Sequence, residues 1–243
     1  MKDINRKKLI LRTIIATITF GLALLNIELL KSVFYLQIYY FKGYQICWFL
    51  LIANMILVCI PKFNGNISNG KIFKKYFKEN PIVYNKKAVK IYTKESDKKA
   101  KKVGLIWAFL IAIIGLLLFK NIINTVTINL IVVFFYFSDQ FCINIWCPFR
   151  VWIIKNRCCN SCRIYNWGHF MIFSPYIFIS SFWTYSLVIM SLFVLLQWEY
   201  MHYKYPDRFC EISNLNLQCS HCLKAKCSYS KSLNKADHLK KKG

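Results

Sequence analysis

The stretch FMIFSPYIFISSFWTYSLVIMSLFVLLQW, Phe170 to Trp198, decides the fold, because its 29 residues carry no charged side chain. About 20 apolar residues cross the hydrocarbon core of a bilayer, so the stretch is long for one crossing and short for two. Taken as one tilted helix, it sends the following residues to the far side. Taken as two short helices that break near Ser180 and Ser181, it brings the chain back, with Ser174-Pro175 opening a re-entrant or half-depth helix packed against protein. Charge favours the return. The tail carries Lys204, Arg208, Lys224, Lys226, Lys231, Lys235 and Lys240 to Lys242 against Glu199, Asp207, Glu211 and Asp237, a basic excess that resists export.

Working outward, four more apolar runs precede this one. The first, Leu11 to Leu30, follows Lys2, Arg6, Lys7 and Lys8 and has no small-residue cleavage pattern after it, so it reads as a retained helix with a cytoplasmic N-terminus. The second, Tyr44 to Ile60, follows the aromatic stretch Phe34 to Phe41, which either lies at the interface as a tyrosine-rich belt or extends the helix. The segment Lys62 to Lys102 holds thirteen lysines against Glu79, Glu95 and Asp97, which places it in the cytoplasm by the positive-inside rule. The runs Val103 to Phe119 and Ile122 to Phe137 are joined at Lys120-Asn121. One helix of that combined length would be roughly 52 Å, well beyond a ~30 Å core, so a hairpin is expected.

Composition agrees with this segmentation. Hydrophobic residues make up 56% of the 243, aromatics 17%, and mean hydropathy is +0.35, too apolar for one soluble core. The expected fold is all-α: a polytopic transmembrane helical bundle of four to six membrane segments with a cytoplasmic cysteine-rich loop and tail. Its parts are N-terminal membrane helices (1–61), a basic cytoplasmic loop (62–102), a membrane hairpin (103–141), a cysteine-rich loop (142–168), a membrane hairpin or single helix (169–198) and a basic cysteine-rich tail (199–243). The net charge of +24 sits in tails and loops between apolar spans, where membrane orientation explains it, so the lipid bilayer and not nucleic acid is the expected partner. The expected location is the cell membrane, with the N-terminus and both cysteine stretches on the cytoplasmic side.

Nine of the eleven cysteines fall in two short stretches on either side of Phe170–Trp198. The first reads C-x4-C-P-x10-C-C-x2-C through Cys142, Cys147, Cys158, Cys159 and Cys162; the second reads C-x8-C-x2-C-x4-C through Cys210, Cys219, Cys222 and Cys227. Each holds enough thiols for a four-thiolate site, and a C-x2-C turn sets two sulfurs on one side of a tight loop, which suits an iron–sulfur cluster or tetrahedral zinc. A reducing cytoplasm points such cysteines towards metal rather than disulfides. In the first stretch the most economical set is Cys142, Cys147, Cys159 and Cys162, and spacing alone does not choose between Cys158 and Cys159. In the second, Lys224 and Lys226 would offset the −2 charge of a tetrathiolate centre. Cys47 and Cys59 lie within an apolar run and read as ordinary buried cysteines.

Cys147-Pro148 resembles the Cys-Pro that closes ferredoxin cluster motifs and that occurs in membrane-bound ferredoxin-like proteins, although the spacing here is C-x4-C-P. The phrase RCCNSCRIYNW, Arg157 to Trp167, followed by an apolar hairpin, is similar to a group of uncharacterised cysteine-rich polytopic membrane proteins. The first resemblance implies iron–sulfur chemistry and the second supplies no function. The leading expectation is one or two cysteine-ligated metal centres, iron–sulfur before zinc, working in electron transfer or as a subunit of a redox complex with a membrane partner. A zinc-stabilised scaffold, assembly factor or sensor is the alternative, and a small transporter or metal-handling protein is a third.

Other polar residues in or near the spans are Asn26, Glu28, Asn129 and Asp139, which would line a path if the chain moved an ion. His169 and His202 flank the last apolar stretch at its two boundaries. The chain has no P-loop, GxGxxG, HExxH or G-x-S-x-G, and no acid–base pair accompanies the thiols, so a stand-alone enzyme is not expected.

Overall fold

The computed structural model describes residues 2–38, 40–63, 67–80, 86–156 and 158–218. Helices dominate: α1 (Lys2–Leu25), α2 (Ile27–Tyr35), α3 (Gly43–Cys59), the short turn α4 (Ile67–Gly70), α5 (Lys86–Phe119), α6 (Thr125–Asn144), α7 (Trp167–Phe173) and α8 (Phe182–Lys204). The only sheet among the described residues is a hairpin of β1 (Gln37–Ile38) and β2 (Phe41–Lys42). Four helices are long and apolar enough to span a membrane, over Asn5–Leu25, Lys86–Phe119, Thr125–Asn144 and Phe182–Lys204; α3 is apolar but shorter. Their outer faces leave Leu105, Phe109 and Leu116 of α5 and Ile189, Phe193 and Leu196 of α8 exposed. Apolar surface on this scale suits contact with lipid chains.

Local chemistry explains where the helices depart from the apolar runs. The first run divides at Asn26, whose side-chain oxygen accepts from the backbone N–H groups of Glu28 (3.0 Å) and Leu29 (3.1 Å) and so starts a new helix, α2. Of the aromatic stretch Phe34–Phe41, Phe34 and Tyr35 end α2, and the chain then pairs Gln37–Ile38 with Phe41–Lys42 in the β-hairpin and does not extend α3 backwards. α5 begins at Lys86, well inside the basic loop, and its 34 residues would reach roughly 51 Å, so its lysine-rich half outruns a ~30 Å core. The expected hairpin after α5 is present: Asn121 takes a left-handed backbone (φ 57°), which asparagine tolerates, and Asn124 caps α6 through Thr127 N–H at 2.9 Å.

Phe170–Trp198 is two segments. α7 passes at Ser174-Pro175 into a 3-10 turn (Ser174–Phe178), where a proline that lacks an N–H is tolerated in the first turn. The reversal at 179–181 is held by the Thr184 hydroxyl, which donates to the carbonyls of Ile179 (2.7 Å) and Ser181 (3.0 Å), and α8 then runs back. The beginning and end of the stretch meet, since Trp167 Nε1 donates to Glu199 Oε1 at 2.7 Å and Trp198 Nε1 donates to the Arg163 carbonyl at 2.7 Å. The loop before α7 and the segment after α8 therefore lie at the same end of the bundle. Between them α3, α6, α7 and α8 pack around Met55, Val132, Phe173, Leu187 and Val194. A second apolar group, Ile111, Ile114 and Ile128, joins α5 to α6.

Candidate metal centre

The cysteine loop is built on the last turn of α6. Cys142 lies within that turn, Cys147-Pro148 leads into a π-helical turn (Phe149–Ile154), and Lys155 closes it in the left-handed region (φ 55°). A 3-10 turn, Cys159–Ser161, then sets Cys159 and Cys162 inward and both are buried. Arg150 ties the two halves together: its backbone N–H points at Cys147 Sγ (3.4 Å) and its Nη1 at Cys159 Sγ (3.7 Å). Cys142 hydrogen-bonds Cys147, and Cys159 donates to the Ile143 carbonyl at 3.8 Å. Cys158 instead accepts from the Asn160 N–H of its own turn at 3.5 Å. Arg150 thus lies against Cys147 and Cys159, while Cys158 turns to its own loop.

Lys71, which charge counting had placed in a solvated basic loop, is the least expected residue here. It is 0% exposed, and its Nζ donates to the carbonyls of Asn160 (2.8 Å) and Cys162 (2.7 Å) while lying 5.0 Å from the centre of the Trp198 ring. Among the described residues no carboxylate reaches it. The thiols that act on it electrostatically are those of Cys162, Cys159 and Cys158. Burial brings its pKa down to about 7, opposed chiefly by Cys162. Burial pushes the Cys159 thiol up to about 12 and also raises Cys162. Cys147 is held below the ordinary thiol range by the hydrogen bond from Cys142, with burial opposing and the Arg150 N–H assisting.

The tail joins the same end. Arg208 donates to the Ile72 carbonyl (2.7 Å), Asn80 N–H to the Ser213 carbonyl (3.0 Å) and Leu215 N–H to the Lys78 carbonyl (2.9 Å), so residues 206–218 are stitched to 72–80. Phe209 stacks edge-on against Trp198 with ring centres 5.0 Å apart. Cys210 is buried beside it, near enough to Tyr92 that this ring feels both Cys210 and Cys162. Burial raises the Cys210 thiol. Cys219, Cys222 and Cys227 lie outside the described residues.

A neighbouring knot of charge escaped the sequence reading. Arg163 is buried and makes a two-pronged pair with Glu199 (Nη1–Oε1 2.8 Å, Nη2–Oε2 2.5 Å) while its Nε meets Asp97 at 2.9 Å. His202 Nδ1 stands 3.7 Å from the same Asp97 oxygen. The available signal was scarcity: the chain has only ten acidic residues, and one of them directly follows Phe170–Trp198. The polar residues considered for an ion path all have partners. Asp139 pairs with Arg12 at 2.7 Å, Asn129 accepts from Tyr176 at 3.0 Å, Glu28 pairs with Lys31 and Asn26 caps α2.

Compared with protein-family models, curated proteins and solved structures, the chain matches none. Its chemistry therefore rests on its own residues. Among the described residues no three cysteine, histidine or carboxylate side chains stand close enough to share one ion. What the arrangement does supply is soft thiols on short turns with the Arg150 guanidinium and the buried Lys71 amine beside them, and no carboxylate on Lys71 among the described residues.

Proposed function

We propose that this is a membrane-embedded metal–thiolate protein whose cysteine-rich end carries an iron–sulfur centre and works in electron transfer as a subunit of a redox complex. The observation that carries this reading is Lys71, fully buried on the carbonyls of Asn160 and Cys162 with no carboxylate on it among the described residues: its ammonium is costly to bury unless an anion offsets it, and the neighbouring thiols would become anions as metal ligands. In this reading Cys142, Cys147, Cys159 and Cys162 hold one centre, and Cys210 with Cys219, Cys222 and Cys227 holds a second or contributes to the first. The backbone N–H of Arg150 on Cys147 and its guanidinium on Cys159 would stabilise ligand charge, and Lys71, on the Cys162 carbonyl, would help to balance it. Such a cluster, when bound, supplies one-electron transfer. The basic residues of 62–102 and of the tail place this end in the cytoplasm by the positive-inside rule, where thiols stay reduced.

A zinc reading has its own support, because the backbone hydrogen bonds that stitch 206–218 to 72–80 are what a structural clamp would reinforce. Iron, zinc and acid-labile sulfide should be measured on anaerobically purified protein and on Cys159→Ser/Cys162→Ser and Cys219→Ser/Cys222→Ser variants. Iron with matching sulfide, lost in the loop variant, is the expected result. Zinc without sulfide would move the protein to the clamp reading, and absence of both would overturn the metal proposal.

A further inference from the structure

From the cleft between α5, α7 and α8 we infer a lipid site that takes one acyl chain of an anionic phospholipid, with the phosphate on the lysines of α5. This rests on the membrane-embedded reading and not on the metal. The cleft has a volume of about 680 Å³. Gly104, Ala108 and Ala112 make one flat wall because they have almost no side chain, and Phe170, Ile177 and Leu195 face them. From Gly104 to Ala112 the helix rises roughly 12 Å, close to the ~15 Å depth of one leaflet of hydrocarbon.

The polar atoms at the cleft are already committed. The Trp107 N–H donates to Ser174 Oγ (3.0 Å), that hydroxyl donates to the Met171 carbonyl (3.0 Å), and the Trp167 N–H goes to Glu199 (2.7 Å), whose oxygens are held by Arg163. A polar head drawn into the cleft, such as a quinone ring, would lose hydrogen bonds to water and find no donor to replace them. A hydrocarbon chain loses none. Charge then selects the head. Lys94, Lys101, Ala108 and Gly115 recur at seven-residue intervals and so form one stripe along α5, small at the cleft and basic beyond it. Lys98 lies one turn from both lysines; all three are exposed, and among the described residues none is ion-paired. Of the two acids on that part of the helix, Asp97 is held by Arg163 and Glu95 is exposed beside Lys94. A phosphate at the mouth would therefore meet a positive excess, three exposed lysines against the one unpaired carboxylate of Glu95.

The test is to reconstitute the protein in vesicles of equal phosphatidylglycerol and phosphatidylcholine, extract it in mild detergent and quantify the retained lipid by mass spectrometry. The wild type should keep about one phosphatidylglycerol per chain, preferred roughly fivefold for each lysine that meets the phosphate. Ala108→Phe should release it while elution volume and metal content stay unchanged. Lys98→Glu/Lys101→Glu, which leaves the cleft walls intact, should keep a chain but bring the phosphatidylglycerol to phosphatidylcholine ratio to about one or below. Equal retention of the two lipids by the wild type, a ratio unmoved by the lysine pair, or no lipid retained at all would overturn the site. The lysine variant decides the matter even where Ala108→Phe does not fold, and the metal content of the same samples reports on the redox reading separately.

Discussion

Two buried cations stand at one end of this bundle, and the protein treats them in opposite ways. Arg163 is surrounded by its own carboxylates, with Glu199 taking two of its N–H groups and Asp97 a third. Lys71 is buried even more completely and receives only the carbonyls of Asn160 and Cys162, aromatic faces and thiols. The first cation is neutralised by the fold and joins α5, the loop before α7 and the end of α8. The second meets no carboxylate among the described residues, and burial lowers its pKa to about 7, so its charge depends on whether the neighbouring thiols are ionised, as they would be in the proposed metal centre.

The contrast is open to direct attack. Arg163→Met should have the largest effect on stability, about 3–5 kcal/mol, because it strands Glu199 and Asp97 without their partner. Unfolding of the detergent-solubilised protein by heat or denaturant would measure it, and a cost below about 1 kcal/mol would mean that the knot is not what closes the α7–α8 hairpin. Read on metal instead of stability, Cys159→Ser/Cys162→Ser should lose most of the bound ion, whereas Cys47→Ser should lose none; equal content in wild type and both variants would remove the loop from the centre. Trp198→Phe should cost about 1–3 kcal/mol, since the buried Arg163 carbonyl loses its donor at a site where the indole is 0% exposed. Smallest in stability is Lys71→Met, expected to change the metal-free protein by no more than about 1 kcal/mol, because relief of charge burial offsets two lost hydrogen bonds. The same variant should still lower metal content. A large loss of stability in the metal-free Lys71→Met protein would make Lys71 a second Arg163 and end the distinction.

Much of the helical framework was legible in advance, and the departures have local causes. The hairpin at Lys120-Asn121 followed from length alone. The split at Asn26 carried a visible cap residue inside an apolar run, but apolar counting does not weigh one asparagine against a continuous run of Leu and Ile. The helical start of α5 at Lys86 is hidden because dense charge reads as a loop, although lysine is a good helix former and Ala88 and Val89 supply an apolar side, Val89 being buried. The cysteines themselves stood out in the sequence, whereas Lys71 and the Arg163 knot did not. Nothing in the spacing of thirteen lysines marks the one that will be buried.

The sequence alone pointed to long apolar helices, since 56% hydrophobic residues gathered in runs of bilayer length suit segments that satisfy their backbone internally. It also determined where thiol chemistry is concentrated. Only the tertiary structure decided that Phe170–Trp198 folds back on itself, because the contacts that close it, Trp167 to Glu199 and Trp198 to Arg163, link residues more than thirty positions apart and have no local signature. That closure brings Cys210 to the end that holds Cys162 and seats Lys71 beside the loop thiols, a juxtaposition set by packing rather than by spacing.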